Sequence, residues 1–372
     1  MNVFNQPGDG GQQSPEHQRR PRYSGTHPKS FKQKYKEQNI AAHPELRDHL
    51  RAKGKTPAGT HIPVLTEEVL GCLKPMPGQI VADCTLGYGG HTLEFIKRIG
   101  PTGRLIAFDV DNAELERTRQ RLSKENTPIS FHHSNFAGIA NVLNKEKLDG
   151  YDIIFADLGV SSMQIDNPER GMSYKHDGPL DMRMDNRLKR SGADLLNSLS
   201  EEELAKAFWE LSDEPDNKEI ASMIIAQRAI QPITEIQQLV RLIFAVKGLT
   251  LASWKKQQRN SKFGSLHPAA RTFQALRILV NDELGSLREL LRLAPYCLRP
   301  GGRIGIISFH SGEDRLVKQS FRDGVKEGIY RSASPNPIVP RMKEIVSNPR
   351  SASAKFRWAI KADSNASRRN CR

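Results

Sequence analysis

The sequence has few cysteines, few aromatic residues and no long apolar run, and each shortage excludes a class of protein. Its four cysteines stand far apart among 372 residues, at positions 72, 84, 297 and 371, without the spacing of a zinc site or a disulfide framework. Apolar runs stay well below the roughly 20 residues that cross a bilayer, and the N-terminus lacks the apolar core of a signal peptide. We therefore expect a cytoplasmic protein that holds no metal and enters no membrane.

Acidic residues are also in deficit. There are 42 Asp and Glu against 56 Lys and Arg, which gives a net charge of +14. Such an excess of cations is typical of proteins that bind a polyanion such as a nucleic acid. Residues 1–58 are rich in Gln, Pro, Gly, His, Lys and Arg and show no helical or strand period. We expect them to form a basic disordered arm, which either contacts phosphates or only keeps the chain in solution.

A glycine-rich turn is the most informative stretch of the chain. A short apolar run over residues 80–83 ends in Asp83, the turn contains Gly87, Gly89 and Gly90, and a helical pattern opens at His91. This order of strand, glycine turn and helix is typical of nucleotide-type cofactor sites. Asp109 ends the next apolar run, where a carboxylate accepts hydrogen bonds from a ribose diol.

Two cofactors fit this turn. A dinucleotide fold requires a third small residue where this chain has Thr92, and its first strand does not usually end in an acid. A carboxylate at Asp83 instead suits a cofactor with a positive amino group, such as S-adenosylmethionine. The alternative without any ligand is an acidic strand cap beside an ordinary turn.

The order of the apolar runs predicts the fold. Over residues 59–164, strands near 80–83, 104–109, 129–132 and 152–157 alternate with helical segments. This alternation predicts an α/β domain with a parallel, doubly wound sheet, which binds its ligand at the carboxyl ends of the strands. Candidate residues fall at those ends: Asp83, Asp109, Phe136 and Asp157.

After Asp157 the alternation stops. Residues 165–267 show helical periods without strands, which predicts an inserted helical subdomain that recognises the substrate. The α/β pattern resumes over residues 268–362, with one long helix from Thr272 to Leu293, a strand ending at His310 and a last strand over 355–360. We expect residues 363–372 to form a flexible tail.

Several blocks of sequence resemble the RsmH (MraW) family of bacterial small-subunit ribosomal RNA methyltransferases. Beginning with His61-Ile-Pro-Val-Leu65, the blocks include Asp83-Cys-Thr-Leu-Gly-Tyr-Gly-Gly-His91, Asp157-Leu-Gly-Val-Ser-Ser162, Glu169-Arg-Gly171, Asp177-Gly-Pro-Leu-Asp-Met-Arg-Met184, His267-Pro-Ala-Ala-Arg-Thr-Phe-Gln-Ala-Leu-Arg277, Ser308-Phe-His-Ser-Gly-Glu-Asp-Arg315 and Asn348-Pro-Arg350. They stand in family order between residue 61 and about residue 360. The chain departs from the usual pattern at Cys84, Met163, Gly312 and Ala352.

This resemblance implies a class I S-adenosylmethionine-dependent methyltransferase with a Rossmann-like sheet. It implies methyl transfer to the 4-amino group of a decoding-centre cytidine in 16S ribosomal RNA of the small subunit. In the resulting hypothesis Gly89, Gly90 and His91 hold the methionine part of the cofactor, Asp109 its ribose and Phe136 its adenine. The full set of expected cofactor-binding residues is Asp83, Gly87, Gly89, Gly90, His91, Asp109, Phe136, Asp157 and Gln164.

Methylation of an exocyclic amino group also needs catalytic groups. The lone pair of this nitrogen is delocalised into the ring, so an acceptor for its hydrogens assists the reaction. Asp157 is the first candidate for this acceptor. His310 either relays the proton, orients the RNA or only caps a strand. His267, Arg271 and Arg277 are candidates for phosphate contacts.

Other functions remain open from the sequence. One is a methyltransferase that acts on another nucleic acid or on a protein. The other is a ribosome-assembly factor that binds RNA without catalysis and keeps the cofactor fold as a scaffold. The sequence does not distinguish a monomer from a homodimer.

Overall fold

The computed structural model describes residues 63–260 and 266–363, which form a seven-stranded sheet flanked by helices. The strands are β1 Ile80–Asp83, β2 Arg104–Asp109, β3 Ile129–His133, β4 Tyr151–Asp157, β5 Leu298–Ser308, β6 Tyr330–Ala333 and β7 Lys355–Lys361. Their order across the sheet is β3-β2-β1-β4-β5-β7-β6. The first five strands are parallel, whereas β7 runs antiparallel to both of its neighbours. The basic arm and His61 lie outside the described residues.

Fourteen helices connect and cover the strands within the described residues. They are α1 Thr66–Leu73, α2 Gly90–Ile99, α3 Asn112–Leu122, α4 Ile139–Lys145, α5 Ser162–Asp166, α6 Gly192–Ser198, α7 Glu201–Ser212, α8 Asn217–Ile230, α9 Ile236–Val246, α10 Leu251–Asn260, α11 Ala270–Asn281, α12 Glu283–Cys297, α13 Ser311–Lys326 and α14 Met342–Ser347. Short 3₁₀ turns precede α4, follow α5 and follow α14.

The sheet buries apolar side chains on both faces. Alternate residues of a strand point to opposite sides, so Ile106 and Phe108 join one apolar layer and Leu105 and Ala107 join the other. Helices α4, α12 and α13 contribute to the first layer, and α1, α2 and α3 contribute to the second. The predicted doubly wound fold is therefore confirmed, since helices cover both faces of the sheet. Strands that are covered on both faces appear in a sequence as continuous apolar runs.

Helices α6 to α9 bury their apolar side chains in a third cluster, away from the sheet. Leu196, Phe208, Ile224 and Ile243 are fully buried there, and Leu276 of α11 joins them. The segment predicted as an insertion, 165–267, therefore shares its core with a helix that follows it. The division of the chain into domains stays a prediction.

Within the described ranges, no single helix is both long and apolar enough to cross a membrane. Only α9 together with residues 251–257 passes that test, as a pair bent by 69°. The apolar side chains of α9 lie in the third cluster.

One predicted helix is wrong, and the sequence did not indicate one strand or the direction of another. The single helix expected from Thr272 to Leu293 is two helices, because Asp282 adopts a left-handed conformation with φ of 46° and turns the chain between α11 and α12. Strand β6 was not predicted and β7 is antiparallel. Of the four residues of β6 only Tyr330 is buried, so its sequence shows little apolar alternation.

Candidate active site

A cleft of about 910 Å³ lies at the carboxyl ends of β1, β2, β4 and β5. The turns that follow these strands form one wall. The facing wall comprises residues 172–175, 184, 185 and 188 and the cleft-facing side of α11, and residues 348–350, 352 and 353 complete the lining. This is the edge at which a doubly wound sheet binds its ligand.

The glycine turn between β1 and α2 owes its shape to tight internal packing. Gly89 has a left-handed φ of 73°, and a Cβ built there would lie 2.9 Å from the methyl group of Thr118. A Cβ on Gly90 would lie 2.6 Å from Cγ of Pro63. Real Cβ atoms do not approach neighbours so closely, so a side chain at either position would displace the turn. The close approaches at Gly89 and Gly90 are therefore to the protein itself.

Asp83 lies beneath this turn. Its side chain is 1% exposed, and it accepts hydrogen bonds from the Thr92 hydroxyl at 2.5 Å and the Thr85 amide at 3.1 Å. Burial raises the pKa of Asp83 to about 6, although both hydrogen bonds oppose the shift. The geometry gives this carboxylate a role in fixing the turn to α2.

Asp109, at the end of β2, faces the cleft and holds the glycine turn from the other side. Its two oxygens accept the amide hydrogens of Gly87 and Asp111, each at 2.8 Å. Burial raises the pKa of Asp109 to about 7 against these two bonds. A carboxylate oxygen accepts more than one hydrogen bond, so Asp109 retains the capacity to bind a hydroxyl in the cleft.

His91 and Asp157 meet at the centre of the sheet edge. Nε2 of His91 lies 3.7 Å from Oδ2 of Asp157, and its ring contacts Phe155 with the ring centroids 4.6 Å apart. Burial lowers the pKa of His91 to about 3, which leaves the ring neutral at pH 7. The pKa of Asp157 is raised to about 8, first by burial and then by Asp83 and Glu313 nearby. The Asp157 amide donates to the Thr85 hydroxyl at 2.7 Å, which fixes β4 to the glycine turn.

His310 is the N-cap residue of α13 and stands two residues after the end of β5. Its ring accepts the Glu313 amide at 3.4 Å, while the Glu313 carboxylate accepts the amides of Phe309 and His310 at 2.8 and 3.3 Å. This reciprocal pattern is a capping box. His310 thus caps a helix and also lines the cleft.

The three candidates for phosphate contacts already have partners within the protein. Arg277 lines the cleft and forms two hydrogen bonds to Glu283, at 2.8 and 3.0 Å. His267 stacks on Tyr174 with ring centroids 4.0 Å apart. Arg271 donates to the carbonyl of Asp213.

The structure brings most of the predicted site residues into one cleft. Those that line it are Gly87, Gly90, His91, Asp109, Phe136, Asp157, Gln164 and His310. Asp83 and Gly89 lie behind this lining, against Thr92 and Thr118. Sequence reasoning missed Asp111, whose position two residues after Asp109 and directly before a helix is the signal of a helix cap.

Four buried polar atoms of residues that line the cleft have no hydrogen-bond partner among the described residues: Nε2 of His91, Oε2 of Glu114, Oδ1 of Asp157 and Nε2 of His310. Buried polar atoms are nearly always paired, and such exceptions indicate a ligand or water. The polar groups of the cleft fit S-adenosylmethionine. One carboxylate can bind the ribose diol of this cofactor, and others would lie near its cationic group. The described residues contain no group of three or more His, Cys, Asp or Glu side chains arranged to hold a metal ion.

A seven-stranded doubly wound sheet with its last strand reversed, and a glycine turn at the cleft, defines a class I methyltransferase. The model of the MraW methylase family matches residues 58–362. The chain belongs to this family, which confirms the resemblance in its motifs.

Three relatives share 42–44% sequence identity with this chain. The ribosomal RNA small subunit methyltransferase H 2 of Alkaliphilus metalliredigens is 44% identical, over 93% of this chain and 98% of that protein. The methyltransferase H 1 of Lachnoclostridium phytofermentans is 42% identical, over 94% of both chains. The methyltransferase H of a Geobacter species is 42% identical, over 80% of this chain and 97% of that protein.

Proposed function

We propose that the protein transfers a methyl group from S-adenosylmethionine to the 4-amino group of a decoding-centre cytidine in 16S ribosomal RNA. Relatives that carry the name of a small-subunit ribosomal RNA methyltransferase support the substrate class. The net charge of +14 suits a polyanionic substrate. A ribosomal substrate would make the cytoplasm the place of action.

The observation that carries the proposal is the position of Asp157. Its carboxyl group lies in the cleft at the end of β4, and its Oδ1 atom is buried without a hydrogen-bond partner among the described residues. An amino group that reacts at nitrogen needs an acceptor for its hydrogens, because positive charge develops on that nitrogen. Asp157 supplies this acceptor once it is ionised, and positive charge in the cleft would lower its pKa from about 8.

The neighbouring residues would hold the cofactor, which supplies an electrophilic methyl group when it is bound. The turn from Gly87 to His91 would contact its methionine part, Asp109 its ribose and Phe136 its adenine. Gln164 donates to Asp111 at 3.2 Å and would close the same side. The chain's own contribution is to fix the nucleophile and the methyl carbon in line and to exclude water.

His310 is the candidate for orienting the RNA or relaying the proton. Its Nδ1 atom serves the helix cap, whereas Nε2 is buried without a hydrogen-bond partner in the described part of the chain. In the neutral ring Nε2 therefore carries the hydrogen and can donate to the base, and a proton relay would require Nδ1 to release the Glu313 amide. Glu313, whose carboxylate lies 3.2 Å from Nε2, would stabilise the charged ring.

The wall opposite the sheet would bind the RNA. A cytidine must leave its stack to enter the cleft, at a cost of about a few kcal/mol. Tyr174 and Phe273 line this wall and would place aromatic side chains beside the base. Lys175 lines the cleft and is exposed, and Lys189 is exposed directly after Leu188 of the cleft, so both would attract the phosphates.

Transfer of labelled methyl groups from S-adenosylmethionine to small ribosomal subunits, followed by nucleoside analysis, tests the proposal. We expect labelled N4-methylcytidine with the wild type and a loss of label with Asp157→Ala. Asp149→Asn is the matched control, since Asp149 is an exposed carboxylate just before the opposite end of the same strand.

The alternatives predict different results in this experiment. Label in another nucleoside or in protein would contradict the proposed substrate and identify a different one. Binding of RNA without any transfer, by a chain that does not bind the cofactor, would indicate an assembly factor.

A further inference from the structure

Asp111 joins the cofactor side of the cleft to a helix. It stands two residues after Asp109, its amide donates to Asp109, and its side chain is 3% exposed. Its Oδ1 atom accepts the amides of Ala113 and Glu114, at 3.1 and 3.4 Å, and so caps α3. One carboxylate oxygen is thereby used within the β2–α3 turn itself.

The other oxygen of Asp111 binds side chains from the segment after β4. Nη2 of Arg170 forms an ion pair with Oδ2, and Nε2 of Gln164 donates to the same atom at 3.2 Å. The pair is shielded, since the side chains are 26% and 3% exposed. Helix capping and the glycine turn do not require these partners.

Arg170 reaches beyond Asp111 to the opposite wall. Its Nη1 atom donates to the carbonyls of Arg183 and Met184, at 3.4 and 3.3 Å, and its own carbonyl accepts the Met182 amide at 2.9 Å. Met182 is fully buried and has a left-handed φ of 63°. A side chain with five donors in a fixed fork is suited to hold such an irregular turn.

The turn held by Arg170 continues into α11. Oδ1 of Asn281 accepts the Met184 amide at 2.7 Å, and Nδ2 of Asn281 donates to the Met182 carbonyl at 2.8 Å. Asn281 also donates to the carbonyl of Arg277, which lines the cleft. Hydrogen bonds thus connect Asp109 to α11 through Asp111, Arg170 and the turn 182–184.

We propose that Arg170 is a positioning residue that couples occupation of the cofactor side to the order of the substrate wall. This proposal depends on S-adenosylmethionine as the cofactor, but it does not depend on cytidine as the substrate. A ligand that fixes Asp109 fixes Asp111, and through Arg170 it orders residues 182–190, which carry Asp185 and Leu188 of the cleft. Coupling between two sites requires a structural element whose conformational equilibrium is shifted by ligands at both sites.

Hydrogen exchange tests the coupling without any RNA. Peptides that cover residues 168–190 are followed with and without S-adenosylhomocysteine in the wild type, Arg170→Gln and Arg292→Gln. Arg292 is the matched control, because it is an exposed arginine paired with Glu289, and neither residue lines the cleft. We expect the ligand to slow exchange in this segment about tenfold in the wild type and the control, but less than about twofold in Arg170→Gln.

Calorimetric binding of S-adenosylhomocysteine distinguishes coupling from a damaged site. We expect its Kd to change less than about threefold in Arg170→Gln, because Asp109 and the cap of α3 are retained. Full protection of the segment in the variant, no protection in the wild type, or a loss of ligand affinity above about tenfold would each overturn the proposal.

Folding and substrate are controlled separately. If Arg170→Gln does not melt cooperatively, Arg170→Lys replaces it, since lysine keeps the charge beside Asp111 but cannot also reach both carbonyls. Where the wild type methylates ribosomal subunits, we expect the transfer rate of the variant to fall about tenfold or more at saturating cofactor. A wild type that labels no RNA contradicts the proposed substrate and leaves the exchange experiment unaffected.

Discussion

Nε2 of His91 lies 3.7 Å from Oδ2 of Asp157, and neither this nitrogen nor Oδ1 of the same carboxyl has a hydrogen-bond partner among the described residues. Burial acts on the two groups in the same sense, since it favours the neutral form of each. The pair is therefore uncharged in the free protein near pH 7. A cationic ligand would favour the ionised form of Asp157. The carboxylate would therefore become a hydrogen-bond acceptor only when the cleft is occupied.

Asp157→Asn tests the acceptor directly. The amide keeps the size of the side chain but cannot take up charge, so we expect the methyl transfer rate to fall about 10²- to 10³-fold. Affinity for S-adenosylhomocysteine should change much less, because the amide still makes a polar contact. Transfer at more than about a tenth of the wild-type rate would show that another residue is the acceptor.

The same variant has an expected dependence of stability on pH. The folded-state pKa of Asp157 is raised to about 8, above the unfolded value of about 3.9, so wild-type stability is lost as pH rises between these values. Asn does not titrate. We expect the melting temperature of Asp157→Asn to rise relative to that of the wild type from pH 5 to pH 8 and then stay constant.

Exposed Asp149 provides the control for this trend. Asp149→Asn makes the same chemical change at an exposed position and is scanned in parallel. A difference between Asp157→Asn and the wild type that does not depend on pH would contradict the raised pKa.

The sequence predicted the sheet edge well, because short-range patterns determine it. Runs that end in Asp83, Asp109 and Asp157 follow from strand length and a buried sheet. The contact of Arg170 with Asp111 and that of Asn281 with Met182 could not be predicted, since these pairs are 59 and 99 positions apart and are joined through irregular turns. The break at Asp282 was missed because the apolar period continues across it, and only the left-handed φ ends the helix.

The role of Asp83 shows the same limit. Its position at the end of a strand predicted a ligand for the cofactor's amino group. The structure instead directs its oxygens to Thr85 and Thr92, a contact nine residues away in sequence that is formed only when α2 lies on the turn. Direct contact of Asp83 with a cofactor remains a prediction.

Gly89→Ala tests the packing of the glycine turn. A left-handed alanine costs about 1–2 kcal/mol, and the clash with Thr118 at 2.9 Å adds overpacking of about 1–3 kcal/mol. Gly328→Ala isolates the first cost, because Gly328 has the same φ of 73° and no neighbour within 4 Å. Chemical denaturation should give the larger loss for Gly89→Ala, together with weaker binding of S-adenosylhomocysteine. Equal losses for the two variants would contradict the steric explanation.

Thr92→Val tests whether Asp83 fixes the turn to α2. Valine keeps the shape of threonine but removes the hydroxyl that Asp83 accepts, which leaves a buried carboxylate less satisfied at a cost of about 1–3 kcal/mol. Burial raises the pKa of Asp83 to about 6, and the hydrogen bond from Thr92 acts in the opposite direction by lowering this pKa. Its removal therefore raises this pKa, and the loss of stability should be larger at pH 8 than at pH 5.

Thr127→Val supplies the comparison, since Thr127 is also buried but donates only to the neutral carbonyls of Ile96 and Gly100. Its cost should be about 1 kcal/mol and independent of pH. Denaturation curves of both variants at the two pH values measure the difference. If Thr92→Val showed the same pH-independent loss as Thr127→Val, Asp83 would be protonated throughout, and its carboxylate would not be the anion that organises the cofactor turn.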